Sequence, residues 1–224
     1  MGFEGVLISE IFHSLQGETS RTGRRFAFVR LTGCNLRCGY CDSVYAFHGG
    51  TRMSIEDVLR TIEPYAVKEV LVTGGEPLMQ RQTPALVRAL VDAGYEVSIE
   101  THGETSIAEV APLARVVMDI KTPGSGMSRG GYVKNLPHLK RSDEVKFVLC
   151  DEADYHWAKE RVESGEIPTE EILFSPVIEA QGSPQGLSSF SLRWLAERVL
   201  EDRLPVRVQT QLHKWIWGPD QKGV

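Results

Sequence analysis

FAFVRLTGCNLRCGYCDS, residues 26–43, runs a short apolar strand straight into a loop with three cysteines. Cys34, Cys38 and Cys41 have the spacing C-x3-C-x2-C. Four thiolates would ligate a cubane iron–sulfur cluster with protein alone. Three leave one iron free for a small molecule, so such a cluster can do chemistry as well as carry electrons. A zinc site is the competing reading, but structural zinc asks for four ligands from paired Cys or His clusters. No second C-x-x-C exists, and His48 lies seven residues beyond Cys41. Cys150 stands apart, at the end of the apolar run Val145–Cys150, and reads as a small buried hydrophobe.

Outward from this loop the chain alternates between two patterns. Ser54 opens SIEDVLRTI with Asp57 three residues on, a helix start. Val67–Thr73 reads as a strand ending at Gly74-Gly75, and Thr83–Ala93 as a helix closed by Gly94. Further strands are expected at Tyr95–Glu100, Arg115–Ile120, Glu144–Cys150, Glu171–Val177 and Pro205–Gln209. Further helices are expected at Ser106–Leu113, Glu152–Ser164 and Ser188–Asp202. This alternation predicts an α/β fold whose parallel strands are apolar on both faces and covered by helices. About six strands are fewer than the eight that close a full barrel, so an incomplete barrel is expected. No composition shift marks a boundary, and residues 1–224 read as a single domain. The loop Pro123–Gly131 has four glycines and reads as the most mobile internal segment.

In such a sheet, polar residues just past the strand ends share one rim. The cysteine loop, Gly74-Gly75-Glu76-Pro77, Glu100-Thr101-His102-Gly103, Asp119–Thr122 and Ser175-Pro176 all fall there.

With 224 residues and 42% hydrophobic content, the chain can bury one full core. Its 25 basic and 30 acidic residues leave a formal charge of −5, with no basic stripe to suggest nucleic acid as a partner. MGFEGVLISEIF lacks a basic stretch followed by an apolar one, so no secretory signal is expected. No uncharged apolar run approaches the length of a membrane span. Four clustered cysteines fit a cytoplasmic metal or catalytic site better than a disulfide framework.

C-x3-C-x2-C with Tyr40 before its last cysteine, followed one βα unit later by GGEP at 74–77, resembles the radical S-adenosylmethionine superfamily. IFHSLQGE, FVRLTGCNLRCGYCDS, VTGGEP, IETHG, DIKTPGSG, FSPV and QTQLHKWIWGP resemble one family within it, the 7-carboxy-7-deazaguanine synthases. These stretches run from residue 11 to 219. The resemblance implies that Cys34, Cys38 and Cys41 hold a [4Fe–4S] cluster. Tyr40, Cys41, Asp42, Gly75, Glu76 and Gly103, with Asp119, Ile120 and Lys121, would line the S-adenosylmethionine pocket. Leu15, Gln16, Gly17, Glu18, Arg30 and Thr101 would hold the substrate. Arg30 interrupts the apolar FVRL and suits a two-pronged contact with a carboxylate. Ser43 stands where many members carry threonine, and its hydroxyl would bind Mg²⁺ together with substrate oxygens and water. A structural serine is the alternative at that position. In some members the chain stops at the proline matching Pro219; here Asp220–Val224 follow. His213, Trp215 and Trp217 read as core or subunit surface.

The resemblance also implies a carbon–nitrogen lyase of queuosine and 7-deazapurine biosynthesis. It would convert 6-carboxy-5,6,7,8-tetrahydropterin to 7-carboxy-7-deazaguanine with loss of ammonia. Its radical would be cofactor-derived, so no side chain is named as catalytic. A flavodoxin or ferredoxin reductant and a homodimer are implied in the same way. Two rivals remain at this point. A glycyl-radical-enzyme activating protein shares C-x3-C-x2-C and GGEP, and a zinc-stabilised binding module would need no reaction at all.

Overall fold

A computed structural model describes residues 5–178, 190–219 and 221–224. Among these residues, nine strands form one sheet in the order β3-β1-β2-β4-β5-β6-β7-β8-β9. β1 (Val6–Leu15) pairs antiparallel with β2 (Arg25–Leu31) and with the short β3 (Thr51–Met53). From β2 the sheet continues in parallel through β4 (Glu69–Gly74), β5 (Glu96–Thr101), β6 (Arg115–Ile120), β7 (Glu144–Leu149), β8 (Glu171–Pro176) and β9 (Arg207–Val208). β3 and β9 end the order unpaired with each other, so the sheet is an incomplete barrel. The antiparallel β1–β3 pair was not anticipated by the strand pattern.

The helices follow their capping chemistry. In α1 (Ile55–Ile62) the Ser54 hydroxyl accepts the Asp57 N–H at 3.1 Å. α2 (Thr83–Asp92) ends before Gly94, whose φ of +87° is the left-handed backbone that a helix stop favours. Asp151 caps α3 (Glu152–Glu163), and Ser191 caps α4 (Leu192–Asp202). α5 (Leu212–Trp217) closes the fold. Ser188 and Ser189, which begin the expected helix at 188–202, lie outside the described residues.

Two expectations give way. Residues 106–113 form consecutive turns, not a helix. Pro112 offers no N–H to the Ala108 carbonyl and disfavours helical backbone at Ala111. The glycine-rich loop is pinned, not mobile. Gly124 N–H donates to Asp154 at 2.8 Å, and the Ser125 carbonyl accepts the Gly39 N–H at 3.0 Å.

Strand alternation then sorts the side chains. One face of the parallel strands sends Val29, Val72, Ile99, Met118 and Phe147 under the helices into the main core. The inner face differs from the doubly apolar reading. It holds a small cluster of Phe26, Phe28 and Leu71, with Phe12 stacked on Phe28 at 4.7 Å. Two residues further along the strands, the same face carries Arg30, Thr73, Glu100, Asp119 and Lys146. The C-terminal end of the barrel is therefore lined with charge. Among the described residues, no helix is long and apolar enough to cross a membrane.

Candidate active site

A cavity of about 550 Å³ opens at that charged end. The cysteine loop after β2 supplies Cys34, Cys38, Tyr40, Cys41, Asp42 and Ser43 to its wall. The turn after β1 supplies Leu15, Gln16, Gly17 and Glu18. Arg30, Gly75, Thr101, Asp119 and Lys121 line it as well. Three expected site residues do not. Glu76 is fully buried beneath the loops, Ile120 belongs to the core, and Gly103 packs on Met118 with a φ of +75°.

The cysteine loop is set by close backbone contact. A Cβ on Gly75 would meet the Gly33 carbonyl oxygen at 2.3 Å and Cys34 Cβ at 2.8 Å, so only glycine lets the two loops meet. Glu76 N–H then donates to the Gly33 carbonyl at 2.7 Å. Its carboxylate accepts the His102 N–H at 2.9 Å, the Leu78 N–H at 3.0 Å and the Thr101 hydroxyl at 2.9 Å. Burial still pushes the Glu76 carboxyl up to about 7.

Behind the loop lies a buried charge network. Lys146 Nζ sits 2.7 Å from Glu18, 2.5 Å from Glu100 and 3.3 Å from Asp119. Lys121 joins Asp119 at 3.0 Å and lies 5.4 Å above the Tyr40 ring. Burial alone would strip a proton from Lys146, yet Glu100, Glu18 and Asp119 hold it well above the usual lysine range. Burial likewise opposes ionisation of Glu18, but Lys146 and His213 keep its carboxyl below the ordinary value. On the other side of the cavity, Arg30 Nε binds Glu10 at 2.7 Å, its cross-strand neighbour. Lys214 Nζ sits 3.2 Å from Asp42. Despite burial, Lys214 and Arg30 hold the Asp42 carboxyl well below the carboxylate range.

The donor set fits a cluster with S-adenosylmethionine. The three thiols share one loop, with burial pushing them up, Cys41 to about 11, so binding iron must displace their protons. Among the described residues, Tyr40 Oη and Asp119 Oδ1 are buried and have no hydrogen-bond partner, which suits a polar ligand in the cavity. Among the described residues, no group of three or more His, Cys, Asp or Glu closes around a single ion. A cubane makes no such demand, since each thiolate takes a different iron.

Residues 28–125 match the model of the radical SAM superfamily. A relative from Koribacter versatilis named 7-carboxy-7-deazaguanine synthase is 42% identical, over 97% of this chain and 99% of its own. One of the same name from Chlorobaculum tepidum is also 42% identical, over 97% and 96%. The chain belongs to the 7-carboxy-7-deazaguanine synthase family of radical SAM proteins. The crystal structure of QueE from Escherichia coli shares the fold, with a TM-score of 0.70 and 24% identity, over 92% of this chain and 94% of that one. The [4Fe–4S] cluster and S-adenosylmethionine follow from membership of this superfamily.

Several cavity residues escaped the sequence reading. Lys146 breaks the apolar run EVKFVL as Arg30 breaks FVRL, and the same signal would have found it. His213 is a correction: it lines the cavity against Gly17, where a Cβ would meet its ring at 2.1 Å. Trp215 and Trp217 are exposed, at 69% and 38%. Lys214 had no signal in HKWIW. Beyond Pro219, Gln221–Val224 run along the cavity mouth, with Lys222 4.3 Å above the Tyr45 ring.

Proposed function

We propose that this chain converts 6-carboxy-5,6,7,8-tetrahydropterin to 7-carboxy-7-deazaguanine, contracting the ring and releasing ammonia. One observation carries the reading. Full-length relatives bear that activity in their names, and in this chain the three-cysteine loop opens on the same cavity as Gln16, Glu18 and Arg30. Cys34, Cys38 and Cys41 would hold the cluster, which with S-adenosylmethionine would supply one-electron, hydrogen-abstracting chemistry.

The remaining work falls to the chain. Tyr40, Cys41, Asp42, Gly75, Asp119 and Lys121 form the cofactor subsite, with Glu76, Gly103 and Ile120 packed behind them. Asp119 Oδ1, which has no partner among the described residues, is a free acceptor there. Leu15–Glu18, Arg30 and Thr101 form the substrate subsite. Glu10 engages the Nε of Arg30 and Ser43 Oγ accepts from one Nη at 3.4 Å, so the other Nη faces a substrate carboxylate. Glu18 and Glu100, both paired with Lys146, can accept the N–H groups of an aminopyrimidinone ring.

Mg²⁺ would bind at Ser43, whose hydroxyl donates to Asp42 Oδ1 at 2.9 Å. Two oxygen ligands are few, so substrate and water would complete the octahedron. The whole chain would act as one domain, in the cytoplasm, with flavodoxin or ferredoxin as reductant. The exposed Trp215, Ile216 and Trp217 of α5 support a homodimer, because contiguous apolar surface favours association.

Incubating the reduced, iron-loaded protein with S-adenosylmethionine and the tetrahydropterin tests the reading. Appearance of the deazaguanine mass and ultraviolet spectrum is expected. A loaded protein that leaves the pterin unchanged would contradict it. Ser43→Ala is expected to cut turnover at limiting Mg²⁺ while leaving the cluster absorbance intact; full activity removes the metal role.

A further inference from the structure

His102 lies on no part of the reaction described so far, yet it is buried, with only 4% of its side chain exposed. Its Nδ1 accepts the Glu104 N–H at 3.0 Å, which leaves the ring proton on Nε2. That nitrogen lies 2.9 Å from Asn35 Oδ1, so the ring donates to the residue immediately after Cys34. On the other side of Cys34, the Gly33 carbonyl accepts the Glu76 N–H at 2.7 Å. Glu76 in turn accepts the His102 N–H at 2.9 Å. A closed ring of hydrogen bonds therefore runs Glu76–Gly33–Cys34–Asn35–His102 and back, joining the ends of β2, β4 and β5.

The ring fixes one further group. The Asn35–Leu36 peptide sends the Leu36 N–H to Cys34 Sγ at 3.4 Å. Its orientation depends on where Asn35 is held. An N–H dipole aimed at a cluster sulfur stabilises the added electron, and such bonds help set the reduction potential.

We propose that His102 is a positioning residue for the cluster: by closing this ring it holds the Leu36 N–H against the Cys34 sulfur and raises the cluster's reduction potential. The inference rests on the cluster sitting at Cys34, Cys38 and Cys41, and holds whatever the substrate. Only a neutral imidazole with its proton on Nε2 makes both of its bonds at once.

The test is a redox titration of the reconstituted protein without S-adenosylmethionine, followed by paramagnetic resonance, with iron counted per chain. Wild type that binds no iron would overturn the reading of the cysteine loop itself. With iron in place, His102→Leu and Asn35→Ala should each move the midpoint to more negative potential. The double variant should move it no further than one single variant does, since both break the same bond. His102→Gln, whose amide N–H stands near the Nε2 position, should restore most of the wild-type value. Should His102→Leu fail to fold, Asn35→Ala decides alone, because Asn35 is exposed. An unchanged midpoint in iron-loaded Asn35→Ala, or additive shifts in the double variant, would overturn the proposal.

Discussion

Glu76 and His102 meet in a buried corner, 3.2 Å apart, and burial acts on both in opposite senses. It lifts the Glu76 carboxyl from 4.5 to about 7. Burial, helped by Lys121, lowers the His102 ring from 6.5 to about 4. Between about 4.5 and 6.5 the unfolded chain holds a proton on the histidine, and the folded chain holds one on the glutamate instead. Stability gained from Glu76 falls as pH rises through this window, whereas that from His102 rises, each by up to about 3 kcal/mol. In wild type the two slopes oppose each other. Relative to wild type, metal-free His102→Gln should therefore lose stability as pH rises from about 4 to 6.5. Glu76→Gln should gain it between 4.5 and 7. Urea unfolding of both variants across this range checks the signs; parallel curves would dismiss the pair. Lys146 supports a second prediction. Lys146→Met leaves Glu18, Glu100 and Asp119 without their shared cation, and stability should fall by about 3–5 kcal/mol with turnover lost. Denaturation and product assays of this variant beside Lys146→Arg read both effects. Cys34, Cys38, Cys41 and Arg30 could be read from spacing and from a broken apolar run. His102 could be placed on the rim but not with its partners, and His213 could not be placed at all, because their surroundings come from chain segments far away in sequence.

At the scale of elements, the decisive contact is loop against loop. Gly75 touches Gly33 and Cys34 so closely that Gly75→Ala must push the cysteine loop away. The variant should keep its overall fold, because the strain is confined to two exposed-end loops. It should bind less iron and less S-adenosylmethionine than wild type, as iron analysis and equilibrium dialysis would show. Wild-type binding would mean that the loops are free to part. The parallel strands and capped helices were legible because their signals are local: Ser54 before Asp57, Gly94 after α2, and runs of apolar residues. β1 was not, since VLISEIFHSL mixes apolar and charged residues and gains its strand pairing from β2 and β3. Residues 106–113 misled for the opposite reason, as a helix-like pattern is broken by Pro112, which has no N–H and restrains Ala111.

For the whole molecule, alternation along each strand separates the two tasks of the sheet. One face builds the core, and the other, at its C-terminal end, builds a charged chamber beneath the cysteine loop. The incomplete barrel could be foreseen from the number of strand–helix units, but its charged interior could not. Inward and outward residues look alike until the register is known. The account stands on three thiols, and no fourth, reaching the cluster, so that one iron is left to S-adenosylmethionine. The most direct measurement is paramagnetic resonance of the reduced, iron-loaded protein before and after S-adenosylmethionine is added. A changed cluster signal is predicted, and it should fail to appear in Gly75→Ala. An unchanged wild-type signal, with four iron atoms bound per chain, would contradict the account.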